Sequence, residues 1–268
     1  MIFVQTALFV PGDRPERFGK ALATAARRVI VDFEDAVEPA LKSLARDNLA
    51  SFLSASSPNN LMVRINAQDS DYYEEDLRFC REHPQLEAVI VPKAENAAEL
   101  RALSEAGLKV WPLVESAKGI LKVGELAGAA GVECMTFGAL DLAASLGIDA
   151  ASPEAQLILD QVRYALLVNS VAHGLAAPID TVFPDIKNLE GLAAFARHGK
   201  GMGMGGMLCI HPSQVETVTN VYRPQEAEIA WARLVLEAAA GQPGVFNFEG
   251  QMIDAPVLQR ARKLLEQH

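Results

Sequence analysis

The chain has 268 residues, of which 50% are hydrophobic and 22% are charged, so it can build a sizeable core and carries too little charge for a disordered protein. Its formal charge of -10 argues against nucleic acid or an anionic membrane surface as a partner. Because no apolar run approaches about 18 residues and no signal-like segment opens the chain, the sequence predicts a soluble cytoplasmic protein.

Short β-rich apolar runs alternate with segments of helical spacing, which favours parallel strands joined by crossover helices. Eight strands are predicted, in chain order TALFVP, RVIVDFED, LMVRIN, AVIVPK, VWPLVE, CMTFGALD, AAPIDTVF and MLCIHP. The clearest helix spans residues 153–174, because Pro153 stands near its start and Gly174 at its end. The Gly-rich residues 199–206 are interpreted as a loop that permits close backbone packing.

A tail follows the eighth strand-helix pair. It contains the predicted helix QEAEIAWARLVLEAAAG, a Gly-rich turn, the short segment FNFEGQMID and a final helix PVLQRARKLLEQH. A (β/α)8 barrel needs about 250 residues, so one domain accommodates the chain. The sequence therefore predicts a barrel over residues 1–222 and a C-terminal helical or lid extension over residues 223–268 that belongs to the same domain.

Polar residues at the predicted strand ends favour the barrel over a doubly wound open sheet. They are Asp32, Glu34, Asp35, Arg64, Asn66, Lys93, Glu115, Asp141, Asp180 and His211. In a barrel all strand ends converge on one face, where catalytic groups lie. No GxGxxG or P-loop pattern is present, so nucleotide-binding versions of the open sheet lack their phosphate cradle.

Glu115 and Asp141 follow adjacent predicted strands with no His or Cys between them. Two carboxylates offer hard oxygen ligands, which predicts Mg²⁺, or else Mn²⁺, in preference to zinc. The alternative is that each carboxylate caps the following helix or pairs with a nearby lysine.

Arg64 lies inside the apolar run LMVRIN, where a cation is costly to bury unless an anion meets it. Its fork suits a substrate carboxylate or a developing oxyanion, and the alternative is a buried ion pair with Glu34 or Asp35. Asp32 and Glu34 share one side of an extended chain, so they are candidates to orient Arg64 or metal-bound waters.

The first predicted βα-loop is basic. Arg14, Arg17 and Lys20 surround the start of the first helix, an arrangement able to hold phosphate groups, although most such clusters are solvated surface. His211, at the end of the last strand, is either a general base or a structural histidine before the helix-starting Pro212.

Seven segments in order resemble the citrate lyase β-subunit family, which is grouped with malyl-CoA and citramalyl-CoA lyases in a wider aldolase superfamily. They are LFVPGDRPERFGKAL, VIVDFEDAV, VRINAQDSDYYEEDL, VIVPKAE, PLVESAKGI, FGALDLAASLG and CIHPSQVE. The resemblance implies a barrel that assembles into trimers or larger oligomers. It also implies Mg²⁺-dependent cleavage or formation of a carbon–carbon bond in a 3-hydroxyacyl thioester.

The same resemblance implies roles for individual residues. Glu115 and Asp141 resemble the metal ligands, Glu115 also meeting the substrate, and Arg64 resembles the substrate-binding catalytic arginine. Arg14 and Lys20 resemble residues near the phosphates of coenzyme A.

The tail takes part in the resemblance as well. Its segment GQMIDAP resembles a lid whose aspartate, here Asp254, reaches as a catalytic residue into the active site of a neighbouring subunit.

The chain departs from the family pattern at two positions. Met207 stands where a lysine precedes the IHP strand, which predicts weaker coenzyme A binding or a different acyl carrier, and Arg28 replaces a small or acidic residue. Two alternative functions stay open. One is a divalent-metal aldolase for free 2-oxo or 2-hydroxy acids without coenzyme A, and the other is a subunit of a larger lyase complex that depends on an acyl-carrier protein.

Overall fold

The structure, a computed structural model, describes residues 4–242 and 244–266. It confirms the predicted (β/α)8 barrel, because eight parallel strands follow one another in chain order and the first pairs with the eighth. The strands are β1 (Thr6–Pro11), β2 (Arg28–Asp32), β3 (Leu61–Arg64), β4 (Ala88–Val91), β5 (Val110–Val114), β6 (Thr136–Phe137), β7 (Ile179–Asp180) and β8 (Gly206–Cys209).

Helices separate these strands. Short 3₁₀ turns at Pro15–Arg17 and Pro39–Leu41 precede the first two helices. The helices are α1 (Phe18–Leu22), α2 (Lys42–Ala55), α3 (Tyr73–Glu82), α4 (Ala97–Glu105), α5 (Ala117–Leu121), α6 (Val123–Ala127), α7 (Ala139–Leu146), α8 (Pro153–Ala172), α9 (Leu189–Gly201) and α10 (Pro212–Tyr222).

Local side-chain chemistry sets several helix starts. Four helices begin at a residue whose side chain accepts a backbone N–H of the first turn, which satisfies a donor that the helix itself leaves free. These N-cap residues are Asn96 for α4, Ser116 for α5, Ser152 for α8 and Asn188 for α9. At the other end of α8, Gly174 adopts the left-handed conformation with a φ of 69°, as the sequence predicts for a helix end.

Strands β6 and β7 are much shorter than the sequence predicts. The chain leaves β6 after Phe137, and the backbone N–H of Ala139 bonds to the hydroxyl of Thr181 at 3.0 Å instead of extending the ladder. The predicted strand CMTFGALD therefore ends four residues early, and Asp141 lies in the first turn of α7.

The Gly-rich residues 199–206 form a loop only in part, since α9 runs to Gly201 and β8 begins at Gly206. The close packing predicted for this segment is present. A Cβ on Gly206 would lie 2.0 Å from the carbonyl oxygen of Val4. Only glycine therefore fits where β8 packs against the segment that precedes β1.

The barrel interior is apolar and filled. Side chains at alternate strand positions form one buried cluster that includes Ala7, Ile30, Met62, Ile90, Trp111, Leu113, Cys134, Ile179 and Leu208. Because successive strand residues point to opposite faces, residues two positions beyond this cluster also face the barrel axis at the carboxyl ends.

The chain divides into two compact units, one ending at Val221 and one beginning at Tyr222. The second unit contains α11 (Glu226–Ala239), an antiparallel hairpin of β9 (Phe246–Phe248) and β10 (Gln251–Ile253), and α12 (Ala255–Glu266). Ala232, Val235, Ile253 and Ala261 form its buried core. That the two units make one domain stays a prediction.

No helix in residues 4–242 and 244–266 combines the length and the apolar character that a membrane crossing requires.

Asp180, predicted among the strand-end polar residues, points away from the barrel axis. Its neighbour Ile179 belongs to the interior cluster, and both Asp180 oxygens accept the Nε–H of fully buried Arg163 at 3.0 Å. The Arg163 guanidinium also bonds Asp160 at 2.8 Å and lies 5.0 Å from the ring of Phe195. This ion pair joins β7 to the helical layer, so its role is structural.

Arg163→Met should lower the free energy of unfolding by about 3–5 kcal/mol, because it leaves the buried Asp180 carboxylate without its cation. Urea unfolding measures the change. Arg17→Met is the matched control, since its ion pair with Glu16 is long at 3.9 Å and both side chains are exposed. Equal losses in the two variants would contradict the assignment.

Candidate active site

Three ionisable side chains reach the barrel axis at the carboxyl ends of the strands. Asp32, Arg64 and Glu115 each stand two positions beyond an interior core residue, namely Ile30, Met62 and Leu113. The β2–β3 register places Asp32 directly beside Arg64. The convergence predicted from polar strand ends is therefore present for these three residues.

Asp32 holds the Arg64 guanidinium in a bidentate pair. Arg64 Nε donates to Asp32 Oδ1 at 2.7 Å and Nη2 donates to Oδ2 at 2.6 Å. Burial opposes ionisation of Asp32, but Arg64 and the backbone N–H groups of Glu34 and Ala36 outweigh it and hold the pKa of Asp32 below its ordinary value. The fork geometry fixes the orientation of Arg64.

The remaining nitrogen of Arg64, Nη1, lies 3.1 Å from Glu34 Oε2 and 3.2 Å from Asp35 Oδ2. The predicted alternative of a buried ion pair is thus part of the structure. Glu34 is buried, and that burial raises its pKa to about 8 even though Arg64 opposes the shift. Asp35 is exposed, so its contact with Nη1 is the one that solvent or a ligand can reach.

Glu115 is buried, and its two oxygens have different surroundings. Oε1 accepts the backbone N–H of Lys93 at 2.8 Å, whereas Oε2 is buried and has no hydrogen-bond partner in the described part of the chain. A Cβ on Gly138 would lie 2.7 Å from Oε2, so glycine leaves the space beside this oxygen. Burial raises the pKa of Glu115 to about 7, against the N–H of Lys93 and the charge of Arg64.

Asp141 faces Glu115 from α7. It is exposed, and its charge adds to the upward shift in the pKa of Glu115. The N-cap of α7 is Gly138, so Asp141 is not the N-cap, although a carboxylate in the first turn is favoured by the helix dipole. Glu115 does not cap α5, because the side chain of Ser116 does so. No side-chain hydrogen bond caps α7, so Asp141 does not act as a cap either.

A cavity of about 850 Å³ opens beside these two carboxylates. Its wall contains Ala67, Gln68, Asp69, Lys93, Glu95, Asn96, Glu99, Glu115, Ser116, Lys118, Lys122, Asp141 and Ser145. The volume falls within the range of small-ligand sites, roughly 300–1,000 Å³.

One side of this cavity is organised around Glu95. Lys118 Nζ lies 2.7 Å from Glu95 Oε2, Ser116 Oγ donates to Oε1 at 2.5 Å, and Lys122 Nζ donates to the Glu95 carbonyl oxygen at 3.2 Å. The hydrogen bond from Lys118 is the main cause of the lowered pKa of Glu95.

The donor set fits a hard divalent cation. Two carboxylates, one with a buried and unpartnered oxygen, face a water-accessible cavity. The described residues contain no cluster of three or more His, Cys, Asp or Glu side chains arranged around a metal position. Two protein carboxylates with open positions suit Mg²⁺, which retains waters and takes further oxygens from a substrate.

The other predicted ligand-binding residues lie apart from the cavity wall. Arg14 is exposed and pairs with Asp13 at 3.4 Å, and Lys20 is exposed in α1. Met207 is fully buried in β8 and pairs in register with Asp180, on the outward side of the strand from Leu208.

Arg28, the second departure from the family pattern, forms an ion pair with Glu87 at the start of β2. Neither this residue nor Met207 changes the lining of the cavity.

His211 and Asp254 both have local structural partners. His211 is exposed, and its Nδ1 lies 2.8 Å from Ser213 Oγ and 3.2 Å from the Ser213 nitrogen, as a residue at a helix start does. In the second unit, Asp254 Oδ1 accepts the N–H of Val257 at 3.1 Å at the start of α12.

Sequence reasoning named Lys93 only as a strand-end polar residue, and it did not anticipate that its backbone N–H binds Glu115. The wall around Glu95 and Lys118 was also missed. Lys118 is visible in the segment PLVESAKGI, but its pairing with Glu95 joins residues 23 positions apart and leaves no local signal.

The chain is similar to known proteins over nearly its whole length. A family model described as HpcH/HpaI aldolase/citrate lyase matches residues 5–212. A citrate lyase subunit beta-like protein of Mycobacterium tuberculosis is 41% identical over 261 residues, which cover 96% of this chain and 93% of that protein. A (3S)-malyl-CoA thioesterase of Cereibacter sphaeroides is 32% identical over 269 residues, which cover 97% of this chain and 93% of that protein.

Among solved structures, CitE from Mycobacterium tuberculosis in complex with magnesium, acetoacetate and coenzyme A matches with a TM-score of 0.86 and 38% sequence identity. The match covers 99% of this chain and 98% of that one.

The raised pKa of Glu115 predicts a pH-dependent stability for the metal-free protein. The folded state keeps this proton up to about pH 7, whereas the unfolded chain releases it near pH 4.5, so the free energy of unfolding falls as the pH rises through this window. Glu115→Gln removes this titration and should reduce the pH dependence, and the part that remains is that of Glu34, whose pKa burial raises to about 8. Urea unfolding in the presence of a chelator, at both ends of the window, measures it.

Glu105→Gln is the control for this experiment, because Glu105 is exposed and should leave the pH dependence as it is in the wild type. If Glu115→Gln shows the wild-type dependence, burial of Glu115 does not raise its pKa in the folded protein.

Proposed function

The chain belongs to the HpcH/HpaI aldolase/citrate lyase family, and on this premise we propose that it is a Mg²⁺-dependent carbon–carbon lyase for a 3-hydroxyacyl thioester. Malyl-, citramalyl- and citryl-thioesters are the substrates proposed. The observation that carries the proposal is the unpartnered Glu115 Oε2, which stands with Asp141 at the wall of the cavity.

Glu115 and Asp141 are the proposed metal ligands, and Glu115 also meets the acid half of the substrate. When bound, Mg²⁺, or Mn²⁺ in its place, supplies a Lewis acid for the oxygens of that half. The complex of CitE with magnesium and acetoacetate supports this assignment through the relative's binding of both. The backbone N–H of Lys93 donates to Glu115 Oε1, which leaves Oε2 for the cation.

Arg64 is the proposed catalytic and substrate-binding arginine. Cleavage leaves an enolate of the acyl thioester, and a fixed guanidinium stabilises the developing negative charge. Asp32 occupies Nε and Nη2, so Nη1 is the donor left for the substrate. Because Asp35 is exposed and 3.2 Å from Nη1, the substrate oxygen would replace the Asp35 carboxylate.

Arg14 and Lys20 are proposed to meet the phosphates of the coenzyme A part. Both are exposed cations at the first βα-loop, and charge-assisted bonds from such groups are strong for phosphate oxygens. The relative's complex with coenzyme A supports a thioester substrate over a free acid. Buried Met207 lies outside the cavity wall, so its presence no longer favours the free-acid aldolase.

Asp254 is proposed as the catalytic residue that delivers or removes the methyl proton of the acyl half, acting on a neighbouring subunit of a homotrimer or larger assembly. The family resemblance of the segment GQMIDAP supports this role. Dependence on an acyl-carrier protein within a lyase complex is the alternative mode of substrate supply.

A second candidate reaction is hydrolysis of a malyl thioester. The malyl-CoA thioesterase relative, at 32% identity over nearly the whole chain, favours it specifically. The two reactions leave different products, because a lyase releases a 2-oxo acid and an acyl thioester whereas a hydrolase releases free thiol.

A panel of malyl-, methylmalyl-, citramalyl- and citryl-CoA, assayed with and without Mg²⁺, tests the proposed reaction. We expect Mg²⁺-dependent release of a 2-oxo acid from at least one thioester, and Glu115→Ala should abolish it because one of two metal ligands is lost. Mass spectrometry of the products separates cleavage from hydrolysis.

Free citramalate and malate, and thioesters on an acyl-carrier protein, complete the panel. An undiminished cleavage rate in Glu115→Ala would end the proposed metal site. Cleavage of the free acids alone would replace the thioester lyase by the aldolase.

Mixing two inactive variants tests the shared active site. Asp254→Ala subunits and Arg64→Ala subunits should each be inactive alone, and mixed oligomers should regain partial activity because some sites combine an intact barrel with an intact tail. Each variant refolded with itself is the control. A mixture as inactive as its parents would show that Asp254 does not serve a neighbouring subunit.

A further inference from the structure

Lys93 has a backbone conformation that its side chain disfavours. Its φ is 47°, in the left-handed region, and Glu249 is the other non-glycine residue with a positive φ in the part of the chain that the structure describes. The left-handed conformation costs free energy for a residue with a Cβ, so contacts with neighbouring residues must stabilise it at Lys93. Such residues cluster at functional sites.

The neighbouring backbone holds Lys93 tightly. Lys93 follows β4, and the next residue, Ala94, donates its N–H to the carbonyl oxygen of Leu113 in β5 at 3.1 Å. The carbonyl of Ala94 lies only 2.8 Å from where a Cβ on Gly119 would stand. The chain on this side of Lys93 is therefore fastened to the strand and helix that flank Glu115.

The left-handed turn directs the Lys93 N–H into the site. This N–H donates to Glu115 Oε1 at 2.8 Å, while Oε2 stays unpartnered beside Gly138. One oxygen is thus occupied by a fixed dipole, and the other is buried without a partner in a residue that lines the cavity. A backbone donor that orients a ligating carboxylate raises its fitness as a metal ligand.

The Lys93 side chain approaches Glu34, whereas the backbone N–H contacts Glu115. Its Nζ lies 3.7 Å from Glu34 Oε1, a long contact, and more than half of the side chain is exposed. The ammonium is therefore placed toward Glu34 and solvent, and the contact with Glu115 is made by the backbone.

We infer that Lys93 is a positioning residue whose left-handed backbone directs its N–H at Glu115 Oε1 and so reserves Oε2 for the divalent cation. The inference rests on the proposed metal site and goes beyond it, because it assigns the alignment of Glu115 to a main-chain conformation. What matters at position 93 is then tolerance of a positive φ, and the positive charge is dispensable for metal binding.

Substitutions that differ in this tolerance test the inference. Lys93→Gly removes the ammonium but adopts the conformation freely, so its affinity for Mg²⁺ should stay close to that of the wild type. Lys93→Val has a β-branched side chain that resists a positive φ, so the N–H should turn away and the affinity should fall by roughly 10- to 100-fold. Lys93→Ala, which differs from Lys93→Gly only by the Cβ, should lie between them.

Isothermal titration calorimetry with Mg²⁺, repeated with Mn²⁺, measures these affinities on the full-length protein, and circular dichroism checks that each variant is folded. Glu249→Val is the matched control. It imposes the same backbone strain in the β9–β10 turn, so it should lower thermal stability without changing the affinity for Mg²⁺.

The outcomes separate the inference from the proposed function. Equal weakening in Lys93→Gly and Lys93→Val would assign the effect to the ammonium and overturn the inference, as would wild-type affinity in both. If Lys93→Val does not fold, tighter binding by Lys93→Gly than by Lys93→Ala supports the inference, and the reverse order overturns it. A wild-type protein that binds neither Mg²⁺ nor Mn²⁺ would overturn the proposed metal site itself.

Discussion

The hydrogen bonds between β1 and β8 close the sheet, and the geometry of the site depends on this closure. In a closed barrel every second residue of a strand points at the axis, so Asp32, Arg64 and Glu115 meet although they are far apart in the chain. The apolar layer below, with Trp111 and Met62 among its members, keeps water from the lower side of these charges. The ionisable groups of Asp32, Arg64 and Glu115 lie at the carboxyl ends of the strands, and the cavity opens there.

Charge is distributed unevenly across this polar layer. Arg64 is surrounded by three carboxylates, of which Asp32 takes the bidentate position, so the guanidinium is oriented before any substrate arrives. Among the described residues no cation forms an ion pair with Glu115, which receives one backbone N–H, that of Lys93. The same burial that stabilises the ion pair therefore leaves Glu115 with a raised pKa and an unpartnered oxygen, which is the state that a divalent cation relieves.

Much of this arrangement could be predicted from the sequence, because strand ends are local features. The alternation of apolar runs and helical segments predicted the eight strands, and β1 was located to the residue. The prediction was poorest at β6 and β7, which have two residues each where eight were predicted. At β6, Thr181 accepts the N–H of Ala139 and the chain turns into α7 early. That hydrogen bond joins residues 42 positions apart, so no local pattern contains it. Asp180 also misled, since a strand-end carboxylate faces either the axis or the helices, and here it pairs with Arg163.

The sequence by itself determined the class of fold, the family and the presence of two carboxylates and an arginine at strand ends, because period, composition and motif order are properties of the chain. Only the tertiary structure decided which oxygen of Glu115 is free, that Asp32 orients Arg64, and that Met207 lies outside the cavity. It also decided the left-handed conformation of Lys93. These features arise from contacts between separate strands, and a contact of that kind exists only after the barrel has closed.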